Sequence, residues 1–359
     1  MTRLGDEIVA EDVAHLLGRT GPMWSHFNGA HIFVTGGTGF FGRWLLESLL
    51  TANQRFSLEC HITVLTRNTA RFSARSPHLS GNPALHLLEG DVRSFEFPSG
   101  DVTHVIHAAT ESSTKLNADD PQTMYDVCVD GTRRALALAR EKRVSHFLLT
   151  SSGAVYGRQP PEVTHISEDF PFTPERLGIR NAYAEGKRAA EELCRAASRP
   201  DADGDSVHTT IARCFAFVGP HLPLDIHFAI GNFIRDALAG GPIHIGGDGT
   251  PCRSYLYAAD LVEWLLVILL NGQAGRPYNV GSETAVSIQE LADRVATVAA
   301  TEWPEQGRPD VLVARQPQQG VPSERYVPDC GRARTELGLI PATSLDTAIL
   351  RTMRFHAGS

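Results

Sequence analysis

Apolar positions along the first two thirds of the chain follow two alternating rhythms. Short runs rich in Val, Ile, Leu and Thr, at 31–35, 61–66, 85–88, 103–107, 146–150 and 208–213, read as strands. Runs with apolar residues three or four apart, at 40–52, 122–142 and 182–197, read as helices. The alternation predicts an α/β fold with a doubly wound parallel sheet, covered on both faces and carrying its sites at the carboxyl ends of the strands. Ile8 to Leu17 predicts a short helix within an extension over residues 1–30. Leu261 to Leu270 is apolar but contains Glu263; it is too short to span a bilayer and reads as a buried helix. Pro and Gly punctuate 157–180, predicting a loop beside the site, and 219–251, where the chain leaves the sheet to build a smaller lobe.

Val34-Thr35-Gly36-Gly37-Thr38-Gly39-Phe40-Phe41-Gly42 joins the first strand to the first long helix. Such a turn needs one glycine to reverse the chain, one to let backbone approach a pyrophosphate, and one to let helix pack on strand. The helix N-terminus then presents free N–H groups to the anion. A glycine-rich hairpin would read the same way locally, so a second signal is needed. It comes from Thr150-Ser151-Ser152-Gly153-Ala154-Val155-Tyr156-Gly157 followed by Tyr183-Ala184-Glu185-Gly186-Lys187. Tyr183 and Lys187 share a helix face. The ammonium is expected to lower the phenol pKa, so that Tyr183 takes and returns a carbinol proton while Ser152 orients the oxygen.

With these motifs the chain resembles the extended short-chain dehydrogenase/reductases, in their nucleotide-sugar epimerase/dehydratase branch, from about Gly29 onward. Arg213-Cys214-Phe215-Ala216-Phe217-Val218-Gly219-Pro220, the stretch Gly247 to Asp260, and Tyr278-Asn279-Val280-Gly281 carry further parts of the resemblance. It implies a Rossmann-type dinucleotide domain over 31–218. It also implies a mainly substrate-binding lobe over 219–359, with a strand and helix returning to the sheet. Cofactor contacts fall on Gly36, Thr38, Gly39, Phe40, Phe41, Gly42, Asp91, Val92, Ala108, Ala109 and Lys187. Ser152, Tyr183 and Lys187 would be catalytic. Arg253 would meet the nucleotide diphosphate, unless it is tied up in an ion pair with Asp260 or a neighbour, and Glu111 is a candidate to read a substrate hydroxyl or amine.

Several departures from the family pattern change the picture. The acidic residue expected after the second strand is missing and Arg67 follows instead, which favours NADP(H) over NAD(H) through a guanidinium–phosphate contact. The family's dehydratases carry Asp-Glu after the active-site Ser/Thr, and its decarboxylases a Glu at the second position. Here they are Gly153 and Ala154. Ala216 and Cys128 replace frequent Asn positions. What remains suits hydride and proton transfer at one carbon: a 4-epimerase working through a transient 4-keto sugar. A net NADPH-dependent ketoreductase stays open. A non-catalytic dinucleotide-binding protein is the rival from another class, and the intact Ser152, Tyr183 and Lys187 argue against it.

Composition adds limits. A formal charge of −8 argues against a nucleic-acid surface. The six cysteines are dispersed without a Cys-x-x-Cys pair, and the first residues lack a signal-peptide core, so a reducing, cytoplasmic setting is expected. His104 and His107 fall on alternate strand faces, so no metal site is expected. The resemblance implies a homodimer built on helices 122–142 and 182–197, with Ala135, Leu136, Leu138, Ala139, Ala189, Ala190 and Leu193 available for close packing.

Overall fold

The computed structural model describes residues 4–109, 117, 119–171, 182–226, 228–318 and 320–358. The first strands are β1 (His31–Thr35), β2 (His61–Thr66), β3 (Leu85–Glu89), β4 (His104–His107), β5 (His146–Ser152) and β6 (Thr209–Cys214). Shorter strands follow: β7 (Phe217–Val218), β8 (Ile243–Ile245), β9 (Cys252–Arg253), β10 (Leu256–Tyr257), β11 (Pro277–Val280), β12 (Val286–Ser287), β13 (Val311–Val313) and β14 (Arg325–Tyr326). The central sheet has the order β11-β6-β5-β4-β1-β2-β3, with every pairing parallel. This is the Rossmann-type sheet. The order reverses direction between β1 and β4, which opens a crevice at their carboxyl ends. Three small sheets, β10-β7, β12-β9-β14 and β13-β8, lie outside it.

β1, β4, β5 and β6 are buried nearly throughout, as strands covered on both faces must be. The helices have local starts. Asp120 accepts from the Thr123 N–H at 3.0 Å to cap the helix Pro121–Glu141, and Ser287 with Glu290 forms a capping box for Ile288–Glu302. The apolar helix Ala258–Asn271 is buried in the main core. Among the described residues no helix is long and apolar enough to cross a membrane.

The helices Pro121–Glu141 and Ala182–Ala197 pack on each other and on the sheet. Ala135, Leu136, Leu138, Ala139 and Ala190 are buried inside this subunit's own core, with Leu193 packed against it. These six of the seven residues offered for a subunit interface therefore serve intramolecular packing, because the same apolar face is what the sheet requires, while Ala189 stays half-buried.

The N-terminal segment is a structural clasp. The helix Leu4–Arg19 buries Ile8, Val9, Val13, Leu16 and Leu17. Its Asp12 accepts a hydrogen bond from the Tyr257 hydroxyl and pairs with Arg351 of the helix Leu345–Ala357 at 2.8 Å. Arg19 reaches Asp260 at 3.1 Å and Glu263 at 2.6 Å.

Candidate active site

The glycine turn fits a dinucleotide on its own geometry. Gly36 has φ +73°, and a Cβ there would lie 2.4 Å from the Ala108 carbonyl oxygen. A Cβ on Gly42 would strike the Gly37 backbone at 2.3 Å, so this glycine lets helix meet turn. Gly39 caps the helix Phe40–Phe56 and is exposed, with room for a phosphate to approach. The first-turn N–H groups, including those of Phe40 and Phe41, face the same way as the helix N-terminus, where an anion is favoured. Thr38 lies half-buried in the turn. β4 closes the other side: the Ala109 N–H donates to Thr35 Oγ1 at 3.1 Å, and Thr35 also meets His107 Nδ1 at 2.8 Å. Burial lowers the His107 pKa to about 3, so this strut is a neutral imidazole.

Asp91 and Val92 follow β3. The Asp91 carboxylate is clasped by Arg93 through Nε at 2.8 Å and Nη2 at 2.9 Å, which holds its pKa below the usual carboxylate value. Val92 packs over Gly131. Arg67 is exposed just past β2 and lies near enough to Asp91 to contribute to the same lowering.

Ser152 ends β5. It also starts a short 3-10 turn, and its Oγ accepts from the Ala154 N–H at 3.1 Å. The helix Ala182–Ala197 brings Tyr183 into hydrogen-bonding contact with Ser152. The Tyr183 N–H is itself held by Asn117 Oδ1 at 3.0 Å. Lys187 is buried, donates to the Thr150 carbonyl at 2.7 Å, and lies 5.8 Å from the centre of the Tyr183 ring.

The expected lowering of Tyr183 by Lys187 is corrected here. Burial raises the Tyr183 pKa, and the leading opposing influence is the Ser152 hydrogen bond. Lys187 has its own charge disfavoured by burial and gives a hydrogen bond to Thr150.

Beneath the site a buried ion pair ties the helix to the sheet. Arg213 is bidentate to Glu191, at 2.9 and 2.7 Å, while Ser151 donates to Glu191 at 2.6 Å. Glu191 stands one turn after Lys187, so this network sets the height of the helix against β5.

On the opposite wall, Arg253 is not paired with Asp260. Asp260 is taken by Arg19 and by the N–H groups of Ala342 and Thr343. Arg253 donates to the Cys252 carbonyl at 2.9 Å and lies 3.7 Å from the exposed Glu324, a loose arrangement that a phosphate can replace. Glu111 lies outside the described residues.

Tyr326, which the sequence reading did not single out, reaches the same site. Burial raises its pKa, opposed by Ser152 and the Ala154 N–H acting on its phenol oxygen, and its ring packs on Phe215 with centres 4.7 Å apart. No local signal marks it: Arg325 and Tyr326 form a two-residue strand placed by pairing with Cys252 and Arg253.

Residues 32–281 match the NAD dependent epimerase/dehydratase family, and the chain belongs to it. It is therefore a member of an NAD-dependent enzyme family of the extended short-chain dehydrogenase/reductase type. It is 31% identical to UDP-glucuronic acid decarboxylase 1 of Arabidopsis thaliana, over 93% of this chain and 72% of that protein. A dTDP-glucose 4,6-dehydratase from Streptomyces venezuelae, solved with NAD, is 25% identical with TM-score 0.73, covering 91% of this chain and 96% of that one. A UDP-glucuronic acid 4-epimerase from Bacillus cereus, 21% identical with TM-score 0.72 over 90% and 98% of the two chains, bears on the fold alone.

Proposed function

We propose that this protein is a nucleotide-sugar 4-epimerase, acting as a cytoplasmic homodimer and preferring NADP(H). One observation carries the reaction type. Ser152 stands beside two phenols, Tyr183 and Tyr326, while positions 153 and 154 are Gly and Ala, so neither of those two positions supplies a carboxylate. Loss of water or carbon dioxide in the related enzymes is associated with carboxylates at those positions. Reversible oxidation of one carbinol needs none.

The bound nicotinamide would accept and return hydride and, when oxidised, add positive charge to the site. Tyr183 takes the C4 hydroxyl proton and gives it back after the keto sugar has turned over. Ser152 orients the same oxygen. Lys187 fixes the Tyr183 helix against β5 through Thr150, and Arg253 pairs with the diphosphate. Arg67, following β2 without a carboxylate beside it in sequence, supports the NADP(H) preference. The same residue favours a second reading, a net ketoreductase that consumes NADPH.

Proton NMR of mixtures with UDP-hexoses and UDP-hexuronates tests the proposal. The expected product is the C4 epimer with the C6 group intact. A pentose or a deoxy-keto product overturns it, and net cofactor oxidation selects the reductase. Light scattering should give twice the chain mass of 39.1 kDa, and a monomer removes the homodimer.

A further inference from the structure

His107 stands between two threonines, and the hydrogen bonds around it leave one way to place the protons. The Ala109 N–H can only donate, and it gives to Thr35 Oγ1 at 3.1 Å. The Thr35 proton then goes to His107 Nδ1, 2.8 Å away. On the other side the Cys128 carbonyl can only accept, so it takes the Thr132 proton at 2.7 Å. Thr132 Oγ1 must therefore accept from His107 Nε2, at 3.2 Å. Both ends demand the same neutral tautomer, protonated on Nε2 and bare on Nδ1. Thr35, His107 and Thr132 are all buried, which screens the chain of bonds from solvent.

This chain of bonds joins two parts of the site. Its Ala109 end belongs to the strand end that crowds the glycine turn, where a Cβ on Gly36 would lie 2.4 Å from the Ala108 carbonyl oxygen. Its Cys128 end lies in the helix Pro121–Glu141. That helix meets Ala182–Ala197 at a glycine: a Cβ on Gly186 would lie 2.7 Å from the Cys128 Cβ. Gly186 precedes Lys187 and stands within one turn of Tyr183. We propose that His107 is a positioning residue, locked as the Nε2–H tautomer, that holds the dinucleotide floor and the Tyr183 helix at one spacing. Nδ1 fixes the Thr35 hydroxyl and with it the Ala109 N–H beside the cofactor. Nε2–H fixes Thr132 and, through Cys128 and Gly186, the height of Tyr183. Burial and then the Lys187 ammonium disfavour a charged ring, which keeps Nδ1 an acceptor. The inference rests on the reading that the glycine turn holds the nicotinamide cofactor and that Tyr183 carries the proton. It is the same for either cofactor, and for an epimerase or a reductase.

Nitrogen-15 NMR of the imidazoles, with His107 assigned through its loss in His107→Asn, should show Nε2 protonated and Nδ1 bare across about pH 5 to 8. Two substitutions then cut one end each. In His107→Asn the amide oxygen overlays Nδ1 and keeps the Thr35 end. In His107→Gln the amide nitrogen overlays Nε2 and keeps the Thr132 end. Fluorescence titration with NADPH and with NADH reads the first end. Single-turnover cofactor reduction at saturating cofactor, with UDP-hexoses and UDP-hexuronates, reads the second. His107→Gln should weaken both cofactors about tenfold and leave the saturated rate within about twofold, since tenfold is the scale of one neutral hydrogen bond. His107→Asn should do the reverse, and Thr132→Val, which keeps the side-chain shape, should repeat the His107→Asn result. A ring protonated on Nδ1, no loss in any variant, or equal losses of affinity and rate in all of them each overturn the proposal. A product that has lost carboxyl or water, with the split intact, overturns only the epimerase reading.

Discussion

The two ends of the central sheet hold titratable side chains on opposite terms. At the carboxyl ends, Ser152 and Tyr183 hydrogen-bond each other, with Tyr326 sharing the serine. At the amino ends stands a row of histidines. His31 pairs in register with His61, His104 lies beside His146, and His208 precedes β6. The His104 and His146 rings stack at 5.3 Å, and His146 meets His208 at 5.4 Å. Burial, followed by the neighbouring His146 and His26, lowers His104 to about 4. His146 and His31 are lowered too, chiefly by burial. Both ends carry shifted groups, so a shift alone does not define a site. The carboxyl end is distinguished by the wiring of its groups to one another beside a cofactor turn, whereas at the amino end burial disfavours the charged form of His31, His104 and His146.

The largest test strikes the carboxyl end. Tyr183→Phe should lower turnover by about 10²–10⁴-fold while the melting temperature and cofactor affinity stay close to wild type. Near-full activity would show that the phenol is not the proton carrier.

The amino end should answer in stability instead. An unfolded histidine takes up a proton near pH 6.5, while His104 in the fold resists until about 4. Stability is therefore lost as the pH falls through this window, by up to about 3 kcal/mol from His104, and this group adds no slope above it. Urea titrations across the window should show a flatter pH dependence for His104→Phe, with the turnover number at neutral pH unchanged. An unaltered slope would remove the amino row from the acid response.

A smaller effect is expected at the edge of the cofactor crevice. Arg67→Ala should weaken NADP(H) about tenfold and NAD(H) little, measured by titration of both. Equal losses would remove the cofactor preference.

Legibility followed the range of the interactions. The strands from His31 to Cys214 match the sequence expectation to within a residue or two, since each is an apolar run bounded by polar or turn residues. The helix from Phe40 continues to Phe56, beyond the expected 52, because Asn53, Gln54 and Arg55 extend it without an apolar signal. Spacing put Tyr183 and Lys187 on one face correctly, but not the direction of the ammonium, which depends on the Thr150 carbonyl of another element. Tyr326 was illegible for the same reason: a two-residue strand has no period, and its position is dictated by Arg253 far back in the chain.

The clasp between Leu4–Arg19 and Leu345–Ala357 orders the assembly of the molecule in time. Arg351 reaches the Ile8 carbonyl at 2.9 Å across 343 positions of sequence. The first helix also packs on the helices Phe40–Phe56 and Ala258–Asn271, so during synthesis its apolar side is covered in stages, the last when the residues near 350 leave the ribosome. Closing so long a loop is slow relative to local helix formation, which makes this the late step of folding. Hydrogen exchange in the first helix should then report on the far end of the chain, as the two ends open and close together.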